Sequence, residues 1–435
     1  MKKNFILTIA LFATVTLSAC SEIEDGVNRM DEWEDEKIEV DYPASFVHPG
    51  IMHTNNDIER LREIVTNREQ PGYGCYEIFA SDARSKADYT LQGPYKEIYR
   101  GNDNGTRPSI QGKYESDFNA AYQNSVMYAV TQDEAHAKKA TEILMAYANT
   151  LEAIVAGDQP LLAGIMGVKF MYAAEMMRYL YPKGMTDENF AKVCSMFKNI
   201  FVPILDDFMA TPAYTNGNWG ASVSMSYIAA AVLFNDLDMY KKAVDFYCNG
   251  IDNGTIRNYI DGETGQCQES GRDQDHVMFG LGNLAEACET AYNQGDEKMY
   301  AALDNRLLTG YEYTAKYNLG ESVPFTTWTD ISGRYCNWQT ISDKLRGVFR
   351  PIYEIVYNHY VTRKGLDMPY TRQVLSKMSV EGASKWCDGP GYGTLFFRTD
   401  MDDDYIRYAD PFVGTSDNGH TFPGACIPFG FIQAS

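Results

Sequence analysis

The sequence predicts an all-α protein, an (α/α) toroid of antiparallel helical hairpins with a short non-helical stub at its C-terminal end. Three observations predict it. From about Asp57 to Arg363 apolar residues recur at spacings of three and four, as Ala140, Ile143, Leu144, Tyr147, Ala148 and Leu151 do, which is the period of a helix with one buried face. Junctions are short: Gly295 ends one helix and Asp296 caps the next, which makes consecutive helices antiparallel neighbours. Nothing before residue 390 alternates with the period of a strand.

In chain order, helical patterns cover residues 57–67, 74–88 and 116–130. A helix around Ala140 follows, with Thr131-x-x-Glu134 read as its capping box. Further patterns cover 161–181, 187–208, 220–234, 237–250, 274–293, 297–318 and 341–362. The stretch 161–181 is apolar enough to suggest a membrane span, but Lys169, Glu175 and Arg178 interrupt it, so it reads as a buried core helix. After Pro369 the texture changes. A glycine-rich loop from Cys387 to Gly393 precedes a strand-like run, Thr394–Arg398, and Asp400, Asp402, Asp403 and Asp404 read as a solvated linker.

Residues 1–19 read as a signal peptide, with Lys2 and Lys3 before the apolar run Phe5–Leu17. The Leu17-Ser18-Ala19-Cys20 ending resembles a bacterial lipobox, which implies lipidation of Cys20 and an outer-membrane lipid anchor on the periplasmic or cell-surface face. Residues 20–42 form the tether, where ten acids stand against Arg29 and Lys37; such a tract resists folding. Residues 43–398 make the body and 399–435 the linker and stub. A net charge of −21 argues against nucleic acid as a partner. A polyanionic substrate would need a local basic cleft in this acidic body. Nine cysteines show no C-x-x-C spacing, so a zinc cluster is not expected.

Of the six histidines, His136 reads as a surface residue and His359 as a buried, satisfied one, while His48 and His53 flank the entry into the body. His276 stands apart because Glu269-Ser270-Gly271-Arg272-Asp273-Gln274-Asp275-His276 packs polar groups into a loop-to-helix junction. Arg272 and His276 are one helical turn apart, a fixed cation beside a titratable ring. The plainer reading is a salt-bridged helix start with Asp273 and Asp275 as favourable N-terminal acids. Asn216-Gly217-Asn218-Trp219-Gly220 offers an amide for a carboxylate and an indole for a sugar face; a glycine-rich turn with a core tryptophan is the alternative. Trp328, Tyr335 and Trp338 lie in an irregular polar segment between helices, a common place for function.

Asn216-x-Asn218-Trp219-Gly220, then Gln268-Glu269-Ser270-Gly271-Arg272-Asp273-Gln274-x-His276, then Glu312-Tyr313-Thr314-Ala315-Lys316-Tyr317-Asn318-Leu319-Gly320 together resemble the alginate lyase superfamily over roughly residues 43–398. The resemblance implies an (α/α) toroid with a long groove. It also implies β-elimination on a uronic-acid polysaccharide of alginate or glucuronan type, without an obligatory metal or other cofactor. Carried over, Asn218 and Arg272 neutralise the substrate carboxylate, and His276 or Tyr335 takes the proton. Tyrosine also donates to the leaving oxygen; Tyr313, Tyr357 and Tyr360 compete with Tyr335 for that role. Trp219, Glu269, Gln274 and Trp338 are the substrate-binding candidates. Two departures bear on the chemistry. Better-known members carry histidine directly after the asparagine, where this chain has Trp219, and tyrosine where it has Phe279. Residues 408–435, with Asp410-Pro411-Phe412-Val413-Gly414-Thr415 and Gly419-His420-Thr421-Phe422-Pro423-Gly424-Ala425, resemble the opening of glycoside hydrolase family 92, the calcium-dependent α-mannosidases, without its catalytic core. Two rival readings therefore stand beside a lyase: a non-catalytic glycan-binding lipoprotein, and an accessory domain of a truncated mannosidase fusion.

Overall fold

The computed structural model describes residues 37–39, 42–101, 105–384, 388–389 and 391–399. The signal peptide, Cys20, most of the tether, the aspartate linker and the family 92-like stub lie outside them.

After α1 (Asn55–Asn67) and α2 (Gly72–Ser81), five helical hairpins follow among the described residues. They are α3 (Gln111–Thr131) with α4 (Glu134–Ala148); α5 (Gln159–Leu180) with α6 (Asp187–Met196) and α7 (Val202–Ala210); α8 (Gly217–Phe234) with α9 (Leu237–Asn249); α11 (Gln274–Asn293) with α12 (Lys298–Asn318); and α13 (Tyr353–Tyr357) with α14 (Pro369–Met378). The four-residue α10 (Ile256–Tyr259) sits between the third and fourth. The first member of each hairpin packs on the first member of the next, so α3, α5, α8, α11 and α13 form an inner ring. Sequence explains which helix goes inside. Helices α5, α8 and α11 are buried on nearly every face, whereas α9 and α14 bury one stripe. The short α15 (Gly393–Phe396) packs between α13 and the α1–α2 pair and closes the ring. The all-α toroid expected from periodicity is the observed fold. Its only paired strands among the described residues are β1 (Glu97–Ile98) and β2 (Ala153–Ile154), which run parallel.

The charges that interrupt the apolar run of α5 each have a partner, which is what their burial demands. Lys169, fully buried, lies 3.6 Å from Glu286 of α11. Arg178 pairs with Asp187. Glu175 accepts from the backbone N–H of Gly50 at 3.1 Å and of Ile51 at 2.9 Å. No helix among the described residues is long and apolar enough to cross a membrane.

Glu175 also holds His48, whose Nδ1 lies 2.7 Å from Oε1, while Nε2 lies 3.0 Å from Asn235 Oδ1. Both partners are acceptors, so the doubly protonated ring suits the site. Burial opposes that charge, but the bonds to Glu175 and Asn235 win and raise the His48 pKa above its ordinary value. A group raised on folding contributes stability below its unfolded pKa of ~6.5 and loses it as pH rises through the folded value. Thermal stability is therefore expected to fall from pH 6 to pH 8, and this His48-dependent component should vanish in His48→Gln. Parallel melting curves of the two proteins across that range would refute the clamp.

Several local expectations are corrected. Thr131 is the last residue of α3, bonded to its own helix at Met127; Asp133 caps α4 by accepting from Ala135 N–H at 2.9 Å. An aspartate directly before the helix outcompetes a more distant threonine. The helix expected over 74–88 stops at Ser81, where Asp82 turns extended to cap a 3-10 turn. Residues 341–352 are irregular, because Leu345 and Gly347 adopt positive φ and Pro351 blocks continuation. Helix α14 lies where no helix was expected. The strand-like run at 394–398 begins as helix α15, packed through Phe396 against Phe79 and His53; a buried apolar run of four has no periodicity to tell the two apart. His136 is half-buried, 2.8 Å from Asn124. His359 is buried and stacked on Tyr300 at 3.7 Å, yet its Nδ1 has no hydrogen-bond partner. The six described cysteines are all free thiols.

Candidate active site

Glu269 is the hinge of the site. The first turn of α8 leaves N–H groups unpaired and presents the positive end of a helix dipole. The turn before α11 supplies the caps: Gln268 Oε1 accepts from Gly217 N–H at 3.0 Å, and Glu269 Oε2 from Asn218 N–H at 2.9 Å. Glu269 Oε1 then accepts from Asn218 Nδ2 at 2.7 Å and from Arg272 Nη1 at 2.7 Å. One buried carboxylate thus fixes an amide and a guanidinium from segments far apart in sequence. Burial raises the Glu269 pKa, against the pull of Arg272, His276 and Asn218. Its carboxylate is 0 % exposed, so it braces the site from behind.

Arg272 reaches the other way as well, its Nη2 3.1 Å from His276 Nε2. Guanidinium has only donors, so Nε2 is the acceptor and carries no proton. The proton of the neutral ring is on Nδ1, which lies 2.8 and 2.9 Å from the two oxygens of Asp273. Asp273 is also the N-cap of α11, accepting from His276 N–H at 2.9 Å. Burial works against its charge, but the His276 ring and backbone, with Lys344, hold its carboxyl below the usual range. The result is a carboxylate-oriented imidazole with its lone pair toward Arg272. The Arg272 and His276 side chains are 30 % and 35 % exposed, so both can meet a ligand.

The aromatic loop is fastened to the same place. Buried Asp330 accepts from Tyr335 N–H at 2.8 Å and from Asn253 Nδ2 at 2.8 Å, and Asn253 also donates to the Thr215 carbonyl at the entry to α8. Tyr335 and Trp338 stack with centroids 6.2 Å apart. Trp338 lies directly on Gly271, where an added Cβ would come within 2.3 Å of its own Cβ; only glycine permits that approach. The Tyr335 hydroxyl donates a single long bond, 3.5 Å, to the Tyr214 carbonyl.

Asn218, Glu269, Arg272 and His276 therefore form one connected cluster, and Tyr335 and Trp338 lie on the loop that covers its turn. Trp219 follows Asn218 on α8, half-buried against the core. Gln274 points inward: its amide donates to the Ser342 carbonyl at 2.9 Å and accepts from Asn318 at 3.0 Å. The competing tyrosines are engaged within the protein, Tyr313 donating to Pro324, Tyr360 to Tyr300, and Tyr357 accepting from Arg372. Phe279 lies under the Arg350 guanidinium, 5.0 Å from its ring centre. Arg350 in turn holds Asp275 and Asp388. Along α11 beyond His276, Phe279, Asn283 and Glu286 line a narrow pocket. Sequence reasoning gave Asp273 only a place at the helix start; its spacing of three from His276 was the signal for more. No group of His, Cys, Asp and Glu suited to a metal ion occurs among the described residues.

A family model described as alginate lyase matches residues 77–325, a span that holds Asn218, Glu269, Arg272 and His276 but not Tyr335 or Trp338. Solved structures share the fold. Alginate lyase A1-III from Sphingomonas species A1 is 12 % identical, with a TM-score of 0.59, over 82 % of this chain and 98 % of its own. A variant of that enzyme complexed with tetrasaccharide is similar at a TM-score of 0.56, 12 % identity, and the same 82 % and 98 % coverage. An alginate lyase from Bacteroides ovatus is 13 % identical with a TM-score of 0.54, over 81 % of this chain and 100 % of its own. No curated protein matches.

Proposed function

Since this chain belongs to the alginate lyase family and is a polysaccharide lyase, we propose that it cleaves a uronic-acid polysaccharide, of alginate or glucuronan type, at the cluster around Arg272. The observation that carries the reading is the pairing of a carboxylate binder with a base: Arg272 and Asn218, held by Glu269, stand beside an imidazole whose lone pair is on Nε2.

The proton at C5 of a uronate is weakly acidic, and its removal places charge on the C6 carboxylate. Arg272 meets that charge as a cation and stabilises an enolate-like transition state, and the Asn218 amide, 1 % exposed and bonded to Glu269, supports it from behind. His276 Nε2 takes the C5 proton, and Asp273 stabilises the imidazolium that forms. The electron pair of the C5–H bond passes through the C6 enolate into a new C4–C5 double bond, and the C4–O bond breaks with its pair on oxygen. Tyr335 protonates that oxygen, and the proton held by His276 returns to Tyr335 through solvent. Trp219 and Trp338 offer flat apolar faces to neighbouring sugar rings. Glu269 and Gln274 act from behind, through Asn218, Arg272 and the 342 loop.

Residues 43–405 incubated with alginate, glucuronan and other uronans should yield a product absorbing in the ultraviolet through its new double bond. Product carrying a saturated non-reducing end, or no turnover of any uronan, would defeat the reading. We also propose the lipid anchor at Cys20, supported by the lipobox-like ending and the acidic tract after it. Cys20→Ala is expected to leave the membrane fraction; a wild-type protein that carries no lipid by mass spectrometry would refute the anchor.

A further inference from the structure

We propose that Arg272 masks the base, and that a uronate carboxylate exposes it by drawing the guanidinium to itself. The inference rests on the role of His276 proposed above and makes Arg272 a specificity-determining residue as well as a binding one.

The geometry points to it in three steps. First, Nε2 of His276 is not open to a substrate proton, because Arg272 Nη2 donates to it at 3.1 Å. A lone pair engaged in that bond is a poor acceptor for a carbon acid. Second, the imidazole has no competing way to turn, since Nδ1 lies within 2.8 and 2.9 Å of both oxygens of Asp273, which is itself buried. Relief must come from the arginine. Third, Arg272 has a pivot. Its Nη1 bond to the fully buried Glu269 is anchored at 2.7 Å, while the side chain as a whole is 30 % exposed. A guanidinium prefers a carboxylate to a neutral imidazole, because the bond to an anion is charge-assisted at both ends and its fork matches two oxygens. A uronate entering beside Asn218 offers that anion.

Around the ring the charged neighbours are Arg272, Asp273 and, through Asp273, Lys344 and, through Arg272, Glu269. Asp273 holds Nδ1 and Arg272 occupies Nε2, so moving Arg272 onto the substrate frees the lone pair. A neutral sugar, or a uronate whose carboxyl is esterified, would leave Arg272 on Nε2. Discrimination against such substrates would then appear in the availability of the base and not only in stabilisation of the enolate.

The test needs no turnover. In protein labelled with 15N-histidine, the Nε2 resonance of His276, assigned by its loss in His276→Gln, reports whether the lone pair is bonded. Arg272→Lys keeps a cation for Glu269 but lacks a second nitrogen for Nε2, and is expected to shift that resonance toward a free lone pair. Glucuronate added to the wild type should move it in the same direction, and glucose at equal concentration should not. If Arg272→Lys fails to fold by circular dichroism, the glucuronate and glucose arms still decide. An Nε2 signal unmoved by glucuronate, or moved alike by glucose, overturns the mask. The proposed reaction can fail independently: uncovering of Nε2 with no product from any uronan would preserve the mask and remove the lyase role of His276.

Discussion

Replacing His276 by alanine is expected to lower kcat/KM on the cleaved uronan by ~10²–10⁴-fold, the usual cost of losing a general base. Stability should change little. The ring is 35 % exposed, Asp273 still caps α11 through the backbone N–H of residue 276, and Arg272 keeps its bond to Glu269. A surface contact of this kind is worth under about 1 kcal/mol, so the melting temperature serves as the control. Activity retained at the wild-type level would shift the base to Tyr335, whose hydroxyl has only one long bond to break.

Asp273→Asn should be as damaging to kcat while leaving the fold intact. Asparagine caps a helix as well as aspartate does, and Lys344, 68 % exposed, loses an ion pair of little worth. The amide can, however, offer an N–H to Nδ1, which moves the ring proton to Nε2 once Arg272 has left it for the substrate, and removes the base. The same exchange behind a catalytic histidine in a Ser-His-Asp triad costs ~10⁴-fold in kcat. The loss should fall on kcat with KM nearly constant, because Arg272 still binds the carboxylate. With glucuronate added, the 15N resonances of His276 should report the inverted tautomer. Unchanged kcat would reduce Asp273 to a helix cap.

Both experiments bear on how this site departs from the pattern of better-known relatives. Trp219 stands where they carry a histidine and Phe279 where they carry a tyrosine. The position of Phe279 is filled by packing under Arg350, which holds α11 to the segment around Asp388 through Asp275. One helical turn earlier on α11, His276 has what the work requires: an oriented ring, partial exposure and a neighbouring carboxylate binder. Base and carboxylate binder therefore share one short stretch of chain here, Arg272 to His276, with Asn218 brought in from the neighbouring helix α8.

Sequence alone determined the architecture, and the reason is periodic. Helices α5 and α8 are apolar on nearly every face and had to be inner, whereas α11 is buried on nearly every face although it carries Asn283, Glu286 and Glu289; α9 and α14 are amphipathic, and of these α9 was legible as an outer helix. Short junctions then forced antiparallel pairs. The Glu269–His276 block was legible as a site because so many polar groups in one junction need partners. Where the signal was local and short, tertiary packing decided. A run of four buried residues at 393–396 became helix α15 because a ring left open between α13 and α1 had to be closed. No pattern in the chain announces that Glu269 caps the helix of Asn218, since that bond joins residues far apart in sequence and depends on where two helix ends meet. The tautomer of His276 was likewise beyond the sequence. It follows from a donor-only guanidinium on one nitrogen and a carboxylate on the other, a choice made only when Asp273 caps α11 and Arg272 is held back by Glu269.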